Sequence, residues 1–210
     1  MAHAWQLHGK RMANAWRMHG KMHGECMVKC MGRHGYPESS TDQSCEGRIL
    51  VIMFPLAGNY CVPSDECDSL GPRKYFENDR IHVRAVAVAD YSFLSSHYAL
   101  RRTLDAWLKS ECIPGVYGAD TRAVTKLART HGAILGRISI DSLLEELRIE
   151  VHNTVNLAAK ESRSQPQTFE PEPLEVGLGS TAHITAGDCG IKRSAIRCLV
   201  HVLSVRAWRV

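Results

Sequence analysis

Four soft or borderline metal ligands stand close together near the N-terminus: His19, His23, Cys26 and Cys30, at spacings of three, two and three intervening residues, with His34 nearby. Imidazole and thiolate side chains at such distances could share one Zn²⁺. The order is not that of a common zinc finger, and no apolar framework surrounds it. The alternatives are a disordered His/Met-rich leader, a misassembled gene start or a transit peptide, the last disfavoured by a scarcity of serine. A second candidate is Cys189, a thiol placed shortly before Lys192. A neighbouring cation favours thiolate and hence nucleophilicity. Asp120-Thr-Arg122 offers a third cluster, either an active-site trio or a helix cap followed by an arginine free to make an interdomain or subunit contact. His82 and His97 read as a strand-face residue and a cap-proximal hydrogen-bonder. The Cys26/Cys30 spacing is wider than that of a redox Cys-x-x-Cys.

Other chemistry is missing from the sequence. It has no Gly-x-Ser-x-Gly or Gly-x-Cys-x-Gly elbow, no Walker A loop, no dinucleotide-binding glycine fingerprint and no His-Glu-x-x-His. A self-contained catalytic site is therefore hard to assemble.

The chain has 210 residues, 44% hydrophobic and 23% charged, enough to bury a core. Its longest apolar run, Ile49 to Leu56, is too short to span a bilayer, so a soluble protein is expected. Eight cysteines are too sparse for a disulfide scaffold, and no secretory apolar stretch is apparent, so reduced intracellular thiols are expected. The net charge of +4 is local. Residues 1–34 hold six Lys/Arg against Glu25 alone, leaving 20 basic and 21 acidic residues elsewhere. The basicity is thus no argument for nucleic-acid or membrane binding by the body.

Three unequal pieces follow. Residues 1–34 hold six of seven Met and five of eleven His, with an imperfect 11-residue repeat, Ala2–Met12 then Ala13–His23. Two copies cannot build a solenoid. The segment is expected to be disordered or at most a weak amphipathic helix broken by Gly9, Gly20 and Gly24. Residues 35–162 read as a mixed α/β domain. Arg48–Phe54 is a buried strand, and the alternating Ile81–Val88 a half-buried one. Ser96–Ser110 spaces Leu100, Leu104, Trp107 and Leu108 as a helix. A second helix is capped by Asp120 and stopped by Gly132, with Val124, Leu127 and Ala128 on one face. Ala133–Ile140 is a strand and Asp141–Arg148 a short helix. Residues 163–181 are a proline-rich connector. Residues 182–210 open like a strand, then a loop at Asp188-Cys-Gly-Ile-Lys192, then a helix over Ser194–Leu203; they are too few to bury a core alone.

The body carries a further pattern: Gly35-Tyr-Pro-Glu-Ser-Ser-Thr-Asp-Gln-Ser44, Gly47-Arg-Ile-Leu-Val, Phe54-Pro-Leu-Ala-Gly-Asn-Tyr60, Glu77-Asn-Asp-Arg-Ile-His-Val83, Ser96-His97, Gly115-Val-Tyr-Gly-Ala-Asp-Thr-Arg122 and His131-Gly-Ala-Ile-Leu-Gly-Arg137. In this order, over about 165 residues including Asp188–Lys192 and Ile196–Val200, it resembles the small, glutaminase-type subunit of carbamoyl-phosphate synthase, most closely in its animal-type fused form.

The resemblance implies a layered β/β/α N-terminal domain followed by the first βα unit of a class I glutamine amidotransferase domain. It implies glutamine hydrolysis through a Cys-His-Glu triad, with ammonia passed to a large synthetase partner, fused or separate. ATP and Mg belong to that partner, so no cofactor is expected on this chain. Ser44 falls where the family's serine contacts bound glutamine; a hydroxyl can donate to a carboxylate and accept from an amine. The other reading of Ser44 is a local turn bond after Asp42. Cys189 matches a residue after the first amidotransferase strand, not the nucleophile.

Departures accompany the resemblance. The cysteine elbow and the later His-Pro-Glu fall beyond Val210 in the family, so the fragment alone is expected to be inactive. Gln43 stands for the usual proline, Cys45 for tyrosine and Cys61 for glycine, and residues 1–34 replace the family's opening strands. That loss is expected to expose a sheet edge and make folding marginal. The implied setting is cytoplasmic pyrimidine synthesis or the mitochondrial arginine/urea branch. Alternatives are a non-catalytic remnant that binds a synthetase, or a metal-binding leader on a degenerate scaffold.

Overall fold

A computed structural model describes residues 5–7, 10–11, 22–29, 35–59, 62–69, 71, 73–94, 101–138, 156–169 and 184–206. Its centre is β4 (Ile49–Ala57). Ile49, Leu50, Val51 and Ile52 are all essentially inaccessible to solvent. A strand buried on both faces reads as a continuous apolar run and needs a partner on each edge. On one side it pairs in parallel with β5 (Ala85–Tyr91), on the other in parallel with β3 (Met22–Lys29). Then β7 (Ile134–Ile138) runs antiparallel to β3 and parallel to β1 (Trp5–Leu7). Beyond β5 come β6 (Gly115–Tyr117), parallel, and β2 (Lys10–Arg11), antiparallel to β6. The order among described residues is β1-β7-β3-β4-β5-β6-β2.

The first 34 residues therefore contribute three strands, where the sequence suggested disorder or a weak helix. Of Met22–Lys29 only Val28 is β-branched, so propensity hides the strand. The buried run of β4, with an open edge to satisfy, overrides it. The edge feared exposed beside β4 is covered by β3. Most of the repeat's second copy, residues 13–21, lies outside the described residues.

Period-two alternation sorts β4 and β5 onto two cores. Leu50, Ile52, Val86 and Val88 join Tyr36, Phe76, Leu104, Trp107 and Leu108 on one face. Ile49, Val51, Ala85 and Ala87 join Val116, Ile134 and Ile138 on the other, beneath Val124, Leu127 and Ala128 of α3 (Thr121–His131). Asp120 caps α3 through Oδ1, which accepts from the Ala123 amide at 2.9 Å, and Gly132 at φ 78° ends it, as the sequence predicts. Gly58 is required where it stands. It has φ 91°, and a Cβ there would lie 2.6 Å from the Tyr91 ring and 2.8 Å from the Ser92 carbonyl.

Other boundaries differ from expectation. The strand predicted from Ile81 begins at Ala85, because residues 82–84 bond to the loops around Ser40 and Arg48 instead of to a strand. The helix predicted from Ser96 is α2 (Leu104–Ser110). Thr103 caps it by accepting from the Ala106 amide at 3.2 Å, and Arg102 bridges to Val62. Residues 95–100, with His97, lie outside the described set, as does the helix expected over 141–148. A short helix α1 (Tyr36–Ser40) opens the body, and α4 (Leu157–Glu161) precedes the connector. Of the strand expected from Ala182, the described residues 184–187 lie in no strand, and Asp188 bonds the amides of its own loop. The final helix, α5, spans Arg193–Arg206. No helix among the described residues is long and apolar enough to cross a membrane.

Candidate functional site

The turn after α1 carries Ser44. Asp42, itself extended just past the end of α1, caps a single 3₁₀ turn, Gln43–Cys45. Its Oδ1 accepts from the Ser44 amide at 2.9 Å and from Ser44 Oγ at 2.7 Å. Short polar side chains two residues apart make such local bonds readily. Ser44 itself is exposed, while Asp42 is 2% exposed. The remaining oxygen of Asp42, Oδ2, is 2.8 Å from Lys192 Nζ, a residue 150 positions away. Partial burial works against the Lys192 ammonium, yet the bond and charge of Asp42, helped by Glu77, outweigh it and raise its pKa.

Lys192 is delivered by a loop that is itself tied down. Asp188 Oδ1 accepts from the amides of Gly190 and Ile191 at 2.9 and 3.0 Å, and Oδ2 from the Arg163 amide at 3.1 Å. The Ile191 bond leads in holding the Asp188 carboxyl below its ordinary pKa, against some burial. Past the loop, Arg193 pairs with Asp79, and Ser194 donates to Glu77. Arg197 reaches Asp68 and the carbonyls of Arg73 and Lys74. The sequence singled out Ser44 and Cys189 separately. The structure brings the loop of Cys189 to the Ser44 turn, but through Lys192; Cys189 is exposed.

A second cluster escaped the sequence analysis. His82, expected on a strand face, is buried at 4% exposure, with Nδ1 2.8 Å from Glu46 Oε2 and 3.1 Å from Glu161 Oε2. Lys160 Nζ lies 2.7 Å from Glu46 Oε1, and Arg80 lies 3.1 Å from Glu161 Oε1. Burial would raise the Glu46 pKa, but the bonds from His82 and Lys160 and the Lys160 and Arg80 charges pull it to about 2. Glu46, His82 and Glu161 could offer three donors to a metal ion, all within 4.8 Å of one another. Their carboxylates are already matched by Lys160 and Arg80, so an ion would have to displace or oppose two cations. No spacing rule joins positions 46, 82 and 161, which is why the sequence did not show the cluster.

The N-terminal ligand set gains no geometry. His23 and Cys26 lie on β3; His19, Cys30 and His34 lie outside the described residues. Asp120 is a cap and Arg122 is exposed, so the trio reads as helix initiation.

The model of the carbamoyl-phosphate synthase small chain, CPSase domain, matches residues 5–138. This span covers the seven strands found among the described residues and α1 to α3. The chain belongs to the carbamoyl-phosphate synthase small-chain family. The match begins at β1, so most of the compositionally odd leader lies within the family's domain. Multifunctional protein ura1 of Schizosaccharomyces pombe is 37% identical over 196 residues, 81% of this chain and 9% of that protein. The carbamoyl phosphate synthase arginine-specific small chain of Eremothecium gossypii is 36% identical over 167 residues, 79% of this chain and 41% of the relative. The mitochondrial carbamoyl-phosphate synthase [ammonia] of Mus musculus is 36% identical over 170 residues, 80% of this chain and 11% of the relative. The chain thus spans from about a tenth to two fifths of the length of these relatives. Like the family it is of the mixed α/β class. Its sequence carries no cysteine elbow and hence no complete Cys-His-Glu triad.

Proposed function

We propose that this chain is the synthetase-facing small-chain domain of a glutamine-dependent carbamoyl-phosphate synthase, joined to the opening of the amidotransferase domain, and inactive on glutamine by itself. In this reading residues 35–162, completed by the strands before them, form the first domain. Residues 163–181 connect, and residues 182–210 begin the second. The partner is a large synthetase subunit or fused domain of the animal type, which holds ATP and Mg and uses the released ammonia to make carbamoyl phosphate. Ser44 contacts the glutamine. The chain works in the cytoplasm in pyrimidine synthesis, or alternatively in mitochondria in the arginine/urea branch.

The observation that carries the reading is the junction at Ser44. The small-chain domain presents an exposed hydroxyl, oriented by Asp42, at the place where the Asp188–Lys192 loop docks. A hydroxyl there can serve both ends of an amino acid. Without a thiolate and its base there is no acyl-enzyme route. The purified 210-residue chain should therefore release no ammonia from glutamine above a heat-treated control, and should bind a synthetase subunit at micromolar concentration. Ammonia release by the chain alone would overturn the inactive-fragment reading; absence of binding would overturn the partner.

A further inference from the structure

The His82 ring joins two parts of the molecule through one polar path, and the donors along it fix every orientation. Nδ1 faces two carboxylate oxygens, Glu46 Oε2 at 2.8 Å and Glu161 Oε2 at 3.1 Å, so Nδ1 carries the hydrogen. Nε2 lies 2.8 Å from Asn78 Nδ2, which can only donate, so Nε2 accepts. The Asn78 amide cannot be turned over, because its Oδ1 accepts from the Asp79 amide at 2.8 Å. The second Asn78 hydrogen goes to Gln43 Oε1 at 2.8 Å, in the one Gln43 orientation that satisfies both ends of that amide. Gln43 Nε2 then donates to the carbonyls of Gly190 at 2.8 Å and Ile191 at 3.1 Å.

The path starts on α4, which carries Glu161, and ends on the loop that presents Lys192. Gln43 also sits between Asp42 and Ser44. Inverting any one amide or the imidazole tautomer leaves a donor facing a donor elsewhere along the path. Such a chain is cooperative, and a break costs more than one bond. His82 and Asn78 are buried, at 4% and 9% exposure, so water cannot readily replace the lost partner.

We propose that Gln43, Asn78 and His82 form a clasp that couples the seating of α4 to the geometry of the Ser44 turn and the 188–192 loop. His82 also bonds Glu46, the residue that closes the Ser44 turn, and shares backbone bonds with Ser40 and Gly47; Gln43→Glu, which leaves those bonds in place, isolates the path through Asn78 and Gln43. The proposal does not depend on what Ser44 binds.

Amide hydrogen exchange on the whole 210-residue chain tests it without glutamine. The reporting amides are Ser44, Gly190 and Ile191, each bonded to an aspartate side chain in the turn or loop. His82→Asn keeps a donor toward the carboxylates but removes the acceptor that Asn78 needs. Gln43→Glu keeps the size but turns the donor into an acceptor. Each should speed exchange at the three amides at least about fivefold while β4 and β5 stay protected, and the double variant should add nothing to the larger single effect. Arg80→Ala, which strips a cation from the same carboxylates but leaves the path whole, should leave the reporters unchanged. Reporter rates within about twofold of the parent in His82→Asn, or effects that multiply in the double variant, would overturn the coupling. If His82→Asn also exposes β4, Asn78→Asp, which removes both donors at constant size, is judged by the same criteria.

Discussion

The body around β4 and the segment that carries α5 are attached by opposite physics. In the body, two apolar layers sandwich the sheet, and Trp107, Leu50, Ile52 and Val86 are at most 1% exposed. Among residues 184–200, whose burial is described, only Ile196 approaches full burial. What holds that segment is a row of ion pairs and charge-assisted bonds: Lys192 to Asp42, Arg193 to Asp79, Ser194 to Glu77 and Arg197 to Asp68. Apolar burial carries no charge to screen or titrate, and excluded salts strengthen it, whereas partly exposed pairs are weakened by salt and titrated by pH. The body should therefore stay folded under conditions that release the segment.

The sharpest way to break that contrast is to attack the body. Trp107 fills the core beside Phe76, with ring centroids 5.6 Å apart. Trp107→Ala should cost about 3–5 kcal/mol in urea unfolding followed by far-ultraviolet circular dichroism, enough to unfold a marginal domain outright. A loss below about 1 kcal/mol would mean that this layer is not the main source of stability.

A middling effect belongs to the buried polar cluster that spans both styles. Glu46 has a folded-state pKa of about 2 against an ordinary value of 4.5. A depressed carboxylate contributes stability that is complete above the unfolded pKa and lost as pH falls through the folded one. The Glu46 share, on the order of 2–3 kcal/mol, should thus be intact above about pH 5 and vanish between about pH 4.5 and 2. Glu46→Gln should flatten this acid limb of a stability-against-pH curve and lower the plateau near neutrality. An unchanged limb would show that other carboxylates dominate acid unfolding.

The smallest effect should come from the segment. Arg197→Ala removes contacts with Asp68 and two carbonyls, worth roughly 1–2 kcal/mol in a part-buried setting. It should open α5 to limited proteolysis while the unfolding midpoint of the body moves little. Molar salt should mimic the substitution in the parent chain. If the body melts together with α5, the two regions are one cooperative unit and the contrast fails.

How much of this was legible beforehand follows the same division. β4, α3, the Asp120 cap and the Gly132 stop were readable because the apolar period and the capping residues are local. β3 was not, because Met, His and Gly carry little strand propensity, and its place was set by the open edge of β4. The helix expected from Ser96 is α2 from Leu104, since Thr103 offers a better cap and Arg102 pairs with Val62. The bond of Ser44 to Asp42 was legible as a local turn bond, since two residues separate them.

By itself, then, the sequence determined the α/β character, the buried β4, the Asp120 cap with its Gly132 stop, and the family, since each depends on neighbours within a few residues or on ordered motifs. Only the tertiary structure decided that Lys192 meets Asp42, that β3 completes the sheet, and that His82 sits between Glu46 and Glu161. These contacts join positions tens to more than a hundred residues apart. No local period encodes them, and they exist only once the two apolar layers have closed around β4.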